Sequence, residues 1–367
     1  MADPERDDMK VYFYPHDYFR DRHLDTIRRW RKGQVVNPEL ADRRRGAQVS
    51  AGRSNHEQLA LSWKQRIPLL NLKMRPKGAP PDAVVYCWGG LVARGDFIIE
   101  LDNPWSMVGY RIQAMSLYRP LIRRLLLSDR CRQIRCISAA CRESLRLLFG
   151  EQVFQKAEVC YPCIDPKVTT VMHSERETRF LFIGTQFEIK GGEALLKAFR
   201  NIASKHPDCR LDVVTHLPPR LAALVEGYPN IRVHEAAFSR EEIHSRFMMH
   251  ADVLVLPTYV ESFGMVALEA LAHGLALIVT DVYALREMVT PGENGELIAP
   301  PVSIWDGYLP SPVYRDLQNV KRYIRETDTH DFEERLARAI ERFIVDPEWR
   351  LQARRASVRL MAERFAC

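Results

Sequence analysis

The sequence predicts an α/β protein built from two doubly wound domains, on three observations. From residue 179 onward, strand-like apolar runs alternate with amphipathic segments of helical period, joined by short loops that carry glycine or serine. A second set of strand-like runs precedes residue 150. Finally, 367 residues at 46% hydrophobic composition are enough to fill two cores of ordinary domain size.

In the first half, residues 10–14, 82–87, 96–100 and 133–138 predict strands, and residues 21–30, 111–127 and 140–149 carry helical periodicity. Residues 38–80, rich in Arg, Pro and Gly, read as a mobile or partly disordered loop. The second half alternates regularly. Residues 179–183 predict a buried strand that passes through a glycine loop into a helix ending near Phe199. Strands follow at 210–215, 231–236 and 252–257, with helices at 219–226 and 240–250 between them. Ser239 and Glu242 make a capping box for the helix at 240–250. A helix over 263–271, N-capped by Ser262 and stopped by Gly274, leads to a strand at 275–280, a short helix at 285–289 and a last strand at 296–298. Residues 302–330 form an insertion before two amphipathic helices, 332–344 and 347–365.

Charge is divided unevenly. Residues 1–170 hold 29 Lys and Arg against 19 Asp and Glu, a net +10, whereas residues 171–367 are net −4. The basic residues concentrate in 20–53 and 111–146, where Tyr118-Arg-Pro-Leu-Ile-Arg-Arg-Leu-Leu-Leu127 mixes arginine with bulky apolar side chains. That mixture suits an anionic membrane surface, at about 1 kcal/mol per basic residue near the headgroups. A plain solvated face is the alternative. Nucleic acid is not an expected partner, because no helix-turn-helix, zinc-finger or RNA-recognition pattern accompanies the charge. No apolar run reaches the roughly 18 residues of a membrane span, and the first residues are acidic. The expectation is a cytoplasmic protein, peripheral at most on the cytoplasmic face of the inner membrane. The eight cysteines, including the Cys-x-x-Cys at 160–163, read as reduced thiols without a second ligand pair for zinc.

The chemistry concentrates in two loops. Glu261 and Glu269 stand in Pro257-Thr-Tyr-Val-Glu-Ser-Phe-Gly-Met-Val-Ala-Leu-Glu269-Ala-Leu-Ala-His-Gly274. Glu261 falls in the loop at the helix mouth, where exposed N–H groups and the positive end of the dipole favour a phosphate; Glu269, further along the helix, can accept hydrogen bonds from vicinal hydroxyls. Upstream, Lys190 in Gly184-Thr-Gln-Phe-Glu-Ile-Lys190-Gly-Gly192 lies at another helix mouth, placed to neutralise a diphosphate. The bland alternative is a pair of ordinary strand–loop–helix units with solvated glutamates and a surface lysine.

Glu, seven residues, Glu, with Ser-Phe-Gly inside and Leu-Glu-Ala-Leu-Ala-x-Gly following, resembles the donor-site signature of family 4 glycosyltransferases. These are retaining enzymes of the GT-B fold, in which two Rossmann-like domains face a central cleft. The resemblance implies that Glu261 contacts the transferred sugar, that Glu269 binds the ribose of a nucleotide-sugar donor, and that Gly184, Thr185, Lys190, Ser262, Phe263, Gly264 and Met265 surround the donor phosphates. Lys190 and Glu261 are the candidate catalytic residues. The family usually has an arginine where Thr185 stands, and a histidine where the first half has Glu100-Leu-Asp102-Asn103, so Asp102 and Asn103 are the candidates for its sugar contact.

The resemblance further implies an acceptor domain over 1–170, a donor domain over 171–345 and a terminal helix over 346–367 crossing back to the first domain, with the linker at 162–167. The acceptor would be a glycan or lipid-linked glycan of the cell surface. No Asp-x-Asp motif occurs, so neither a metal nor another cofactor is expected. A catalytically silent homologue, favoured by Thr185 and the altered 100–103 segment, and an epimerase or hydrolase on the same scaffold are the competing readings.

Overall fold

The computed structural model describes residues 9–15, 19–42, 70–172, 177–311 and 317–366. The chain divides into two compact units, Met1–Cys163 and Ile164–Cys367.

The first unit is built on six parallel strands: β1 (Lys10–Phe13), β2 (Gln34–Val35), β3 (Val84–Trp88), β4 (Phe97–Leu101), β5 (Cys131–Cys136) and β6 (Ala157–Val159). They lie in the order β2-β1-β3-β4-β5-β6. Every residue of β3 and β4 is buried, because helices cover both faces of a parallel sheet; this is why these segments read as unbroken apolar runs rather than as alternation. Among the described residues the helices between the strands include α1 (Asp21–Arg28), α2 (Ile112–Leu127), α3 (Ala139–Phe149) and α4 (Glu151–Lys156). Ser138 caps α3, its hydroxyl accepting from the Cys141 N–H. Aromatic side chains dominate the core under α1. Phe13 lies 4.8 Å from Tyr86 and 5.6 Å from Trp88 between ring centroids, and Trp30 meets Phe13 edge-on. The strands β2 and β6 are too short to carry a pattern and are defined by their pairing. Of the long loop read at 38–80, residues 43–69 lie outside the described residues, as do Arg43, Arg44 and Arg45 of the basic segment.

The second unit repeats the architecture with β7 (Thr178–Ile183), β8 (Cys209–Thr215), β9 (Ile231–Glu235), β10 (Val253–Leu256), β11 (Ala276–Thr280) and β12 (Gly295–Ile298). Their order is β9-β8-β7-β10-β11-β12, all parallel, the doubly wound arrangement of a dinucleotide-binding sheet. Its helices include α5 (Gly192–Ala203), α6 (Arg240–Ile243), α7 (Met265–Ala272), α8 (Leu317–Glu326), α9 (His330–Val345) and α10 (Pro347–Leu360).

Three predicted helices differ. Residues 219–226 form a 3₁₀ turn, Pro219–Leu224, behind two consecutive prolines, and the short helix expected at 285–289 is a 3₁₀ turn at Tyr283–Glu287. The helix expected over 240–250 keeps its Ser239–Glu242 capping box but widens after one turn into a π-segment, His244–Met248. The insertion is partly regular: Trp305–Asp306 pairs antiparallel with Leu309–Pro310, and α8 follows. Behind the sheet, Arg354 of α10 donates to Asp252 and to the Gly274 carbonyl, fastening the terminal helix to the ends of β10 and α7.

Cys87, Cys131, Cys136, Cys141, Cys160 and Cys209 are free. Cys163 is disulfide-bonded, which corrects the reading of all eight as thiols.

Candidate functional site

In the second sheet the strand order reverses between β7 and β10, and it is beyond the carboxyl ends of strands at such a switch point that open α/β sheets bind their ligands. The loops leaving these two strands carry Lys190 and Glu261. Lys190 Nζ lies 2.7 Å from Glu261 Oε2 and donates to the Val260 carbonyl at 3.1 Å. Two hydrogen bonds fix the loops together: the Tyr259 N–H donates to the Ile189 carbonyl at 2.9 Å, and the Thr258 hydroxyl donates to the same carbonyl at 3.3 Å. Gly191 has φ +74°, and a Cβ there would sit 2.0 Å from the Pro257 carbonyl oxygen; at Gly192 a Cβ would collide with Phe187. These glycines therefore make room for neighbouring protein.

Burial pushes the Glu261 carboxyl up, but the Lys190 ammonium and hydrogen bonds from Lys190 and the Ser262 and Phe263 backbone outweigh it. The group is held below the ordinary glutamate range. Glu261 is thus an ionised acceptor at neutral pH, with Oε1 taking the Ser262 N–H at 3.1 Å. The insertion supports the same loop from outside. Trp305 Nε1 donates to the Glu261 carbonyl at 3.0 Å, and its ring stacks on Tyr283 at 4.0 Å and 16°. Tyr283 has φ +48°, a left-handed conformation rare for an aromatic residue, and is 1% exposed. The partner of Trp305 is a backbone carbonyl 44 residues away, a contact that no local pattern in the sequence marks.

Ser262 is not the N-cap of α7. The helix opens at Met265, with Gly264 at φ +95° as the cap residue, and a Cβ on Gly264 would lie 2.4 Å from Leu285 Cδ2. The left-handed turn and the packing of Leu285 delay the helix by two residues and leave residues 257–264 as a loop long enough to reach Lys190. Phe263 is buried, while Ser262 and Met265 are partly exposed. At its far end α7 stops as expected: Gly274 has φ +66°, its N–H bonding to the Leu271 carbonyl and that of Leu275 to Ala270. In the other loop Thr185 is exposed, and a Cβ on Gly184 would press the Lys190 side chain at 3.0 Å.

Glu269, on the exposed side of α7, is held by a cation that the sequence did not point to. Arg240 Nε donates to Oε1 at 2.9 Å, and His244 Nε2 is 3.9 Å from the same oxygen. His273, one turn on, sits 2.7 Å from the Glu269 carbonyl; since a carbonyl only accepts, Nδ1 carries the proton. Burial lowers the His273 pKa to about 4, so it is neutral at pH 7. The i, i+4 spacing of Glu269 and His273 is the one signal of this cluster visible in sequence.

In the first unit, Asp102 accepts from the Tyr110 hydroxyl at 3.1 Å and is partly exposed. Asn103 is 2% exposed and caps a 3₁₀ turn, its Oδ1 accepting from the Trp105 N–H at 3.0 Å. A buried capping side chain corrects the sugar contact expected of Asn103 and leaves Asp102 alone. Among the described residues, no group of three or more His, Cys, Asp or Glu is arranged to hold a metal ion.

Residues 177–305 match the family described as Glycosyl transferases group 1. The matched residues lie wholly within the second unit. A D-inositol 3-phosphate glycosyltransferase of Corynebacterium diphtheriae is 35% identical over 127 residues, covering 32% of this chain and 30% of the relative. The lipopolysaccharide glucosyltransferase WaaG of Escherichia coli is 29% identical over 131 residues, 35% of each chain. The chain thus spans less than half the length of the curated relatives it matches. Among solved structures, Anabaena Alr3699/HepE in complex with UDP-glucose aligns with a TM-score of 0.58 at 14% identity, over 98% of this chain and 96% of that one. The fold is GT-B, shared by a family 4-like glycosyltransferase lineage.

Proposed function

We propose that the protein is a retaining glycosyltransferase that moves a sugar from a nucleotide-sugar donor to a glycan or lipid-linked acceptor in cell-surface polysaccharide synthesis. The observation that carries the reading is the Lys190–Glu261 pair at the switch point, 2.7 Å apart and backed by the N-terminus of α7. On donor binding, Lys190 turns its charge toward the diphosphate, and the charge that builds on the leaving group strengthens that contact in the transition state. Glu261, already ionised, is released to accept from the sugar hydroxyls. Arg240 holds the Glu269 carboxylate in place to accept from the ribose hydroxyls. Gly184, Thr185, Ser262, Phe263, Gly264 and Met265 complete the donor surroundings, and Asp102 is the contact assigned to the first unit.

No metal enters this mechanism, since Lys190 and the helix N-terminus supply the positive charge. Activity should persist in excess EDTA, and strict dependence on magnesium or manganese would remove the mechanism. The acceptor assignment rests on the chemistry named for the relatives and on α2, where Leu117 and Leu121 are exposed beside Arg119 and Arg124. That face supports peripheral attachment to an anionic leaflet; no helix of the described residues is long and apolar enough to cross a membrane. The deciding assay is hydrolysis or transfer with a panel of UDP-, GDP- and ADP-sugars. Turnover of one donor supports the enzyme, and binding without turnover would favour a silent homologue.

A further inference from the structure

The first unit contains a cavity of about 210 Å³. Arg22 reaches it from α1, Arg29, Arg31 and Lys32 from the segment that follows, and Glu100 and Arg135 from adjacent strands in which they are register partners. Five cations therefore line the space against one carboxylate. That carboxylate is already occupied. Glu100 is 5% exposed, with Arg22 on one oxygen and the Tyr86 hydroxyl on the other. Of the remaining cations, Lys32 has only a distant partner in Glu158, at 3.7 Å and near the surface. Arg135 stands over the Trp30 ring, and its buried Nε has no hydrogen-bond partner in the structure.

Guanidinium groups gathered in a concave, partly desolvated space raise the local positive potential, and they match the geometry of tetrahedral oxyanions. The volume is below the roughly 300–1,000 Å³ of sites that enclose a whole drug-sized ligand, so it fits one phosphoryl group and not a nucleotide sugar. We propose that this cavity binds a phosphate group, either the phosphate monoester of a small polyol or free inorganic phosphate. The residues that line it all belong to the first unit, and the site stands without the transferase reading.

Calorimetric titration of the full chain with inorganic phosphate at constant ionic strength tests it. The expected result is saturable binding that weakens at least tenfold in the Arg31→Gln/Lys32→Gln double variant and is unchanged in Arg119→Gln/Arg124→Gln, which removes the same formal charge from α2. Arg135→Lys keeps the charge but loses the fork, and should weaken phosphate by a smaller factor. Circular dichroism of each variant establishes that it is folded. Titration with glycerol 3-phosphate and with glycerol separates the two sources: a polyol phosphate that binds at least tenfold tighter than phosphate makes the monoester the ligand, and equal affinity makes it free phosphate. Absence of saturation at millimolar phosphate, or equal weakening by the α2 pair, would overturn the proposal whether or not the protein transfers sugar.

Discussion

The two units share one plan, six parallel strands with helices between them, but their sheets reverse at different places. The order is β2-β1-β3-β4-β5-β6 in the first and β9-β8-β7-β10-β11-β12 in the second. In the second unit the reversal falls between strands whose following loops carry Lys190 and Glu261, and the two side chains form an ion pair. In the first, the positive charge is placed differently: Arg22 is committed to a buried carboxylate, while Arg119 and Arg124 lie exposed on a helix. Equivalent architecture therefore does not produce equivalent sites. What matters is which loops the switch point brings together, and whether charge there is paired across them.

The sharpest way to break this comparison is Lys190→Ala. It removes a charge-assisted contact worth about 1.5–3 kcal/mol, so turnover should fall roughly 10- to 100-fold. An unchanged steady-state rate would mean that the diphosphate is held elsewhere. The same variant has a pH signature. Because Lys190 helps hold the Glu261 pKa below its ordinary value, the wild-type protein keeps the ionised form as pH falls, and activity is lost only as pH passes below that lowered pKa. Without Lys190 the upward push of burial is less opposed, and the acid limb of kcat/KM should move to higher pH.

A second test works within the donor unit. Glu269→Ala should weaken binding of the free nucleoside diphosphate, whereas Glu261→Ala should depress transfer and leave nucleotide affinity near wild type; calorimetry showing equal losses would contradict the two roles. A smaller effect is expected of Trp305→Phe, which keeps the stack on Tyr283 and loses the hydrogen bond to the Glu261 loop. One such bond is worth about 1 kcal/mol, so kcat should fall by roughly fivefold with nucleotide affinity unchanged. A parallel loss of nucleotide binding would show that Trp305 supports the whole unit.

The least effect on donor chemistry belongs to the first unit. Replacing Arg119 and Arg124 with glutamate should abolish salt-sensitive binding to vesicles of anionic lipid, since exposed charges act over only about 8 Å at physiological ionic strength, and should leave donor hydrolysis intact. Arg123 is a poor choice here, because it joins α2 to the Phe149 carbonyl and Gln152. Cosedimentation at low and high salt measures the effect, and indifference of the wild-type protein to such vesicles would remove the membrane reading.

The sequence by itself determined the strands β3, β4, β7, β8, β10 and β11, whose apolar runs are long enough to commit locally, and the stop of α7 at Gly274, which a left-handed residue enforces. It also marked Lys190, Glu261 and Glu269, because spacing around a helix mouth is a local property. Tertiary structure alone decided the rest. The two-residue β2 exists only through pairing with β1, and the start of α7 was moved from Ser262 to Met265 by Gly264 and the packing of Leu285. Arg240 on Glu269, Trp305 under the Glu261 loop and Arg135 beside Glu100 are contacts between residues 29, 44 and 35 positions apart. No periodicity encodes such distances; they are set when strands pair and loops close, and the charge or hydrogen bond that results acts on the site only then.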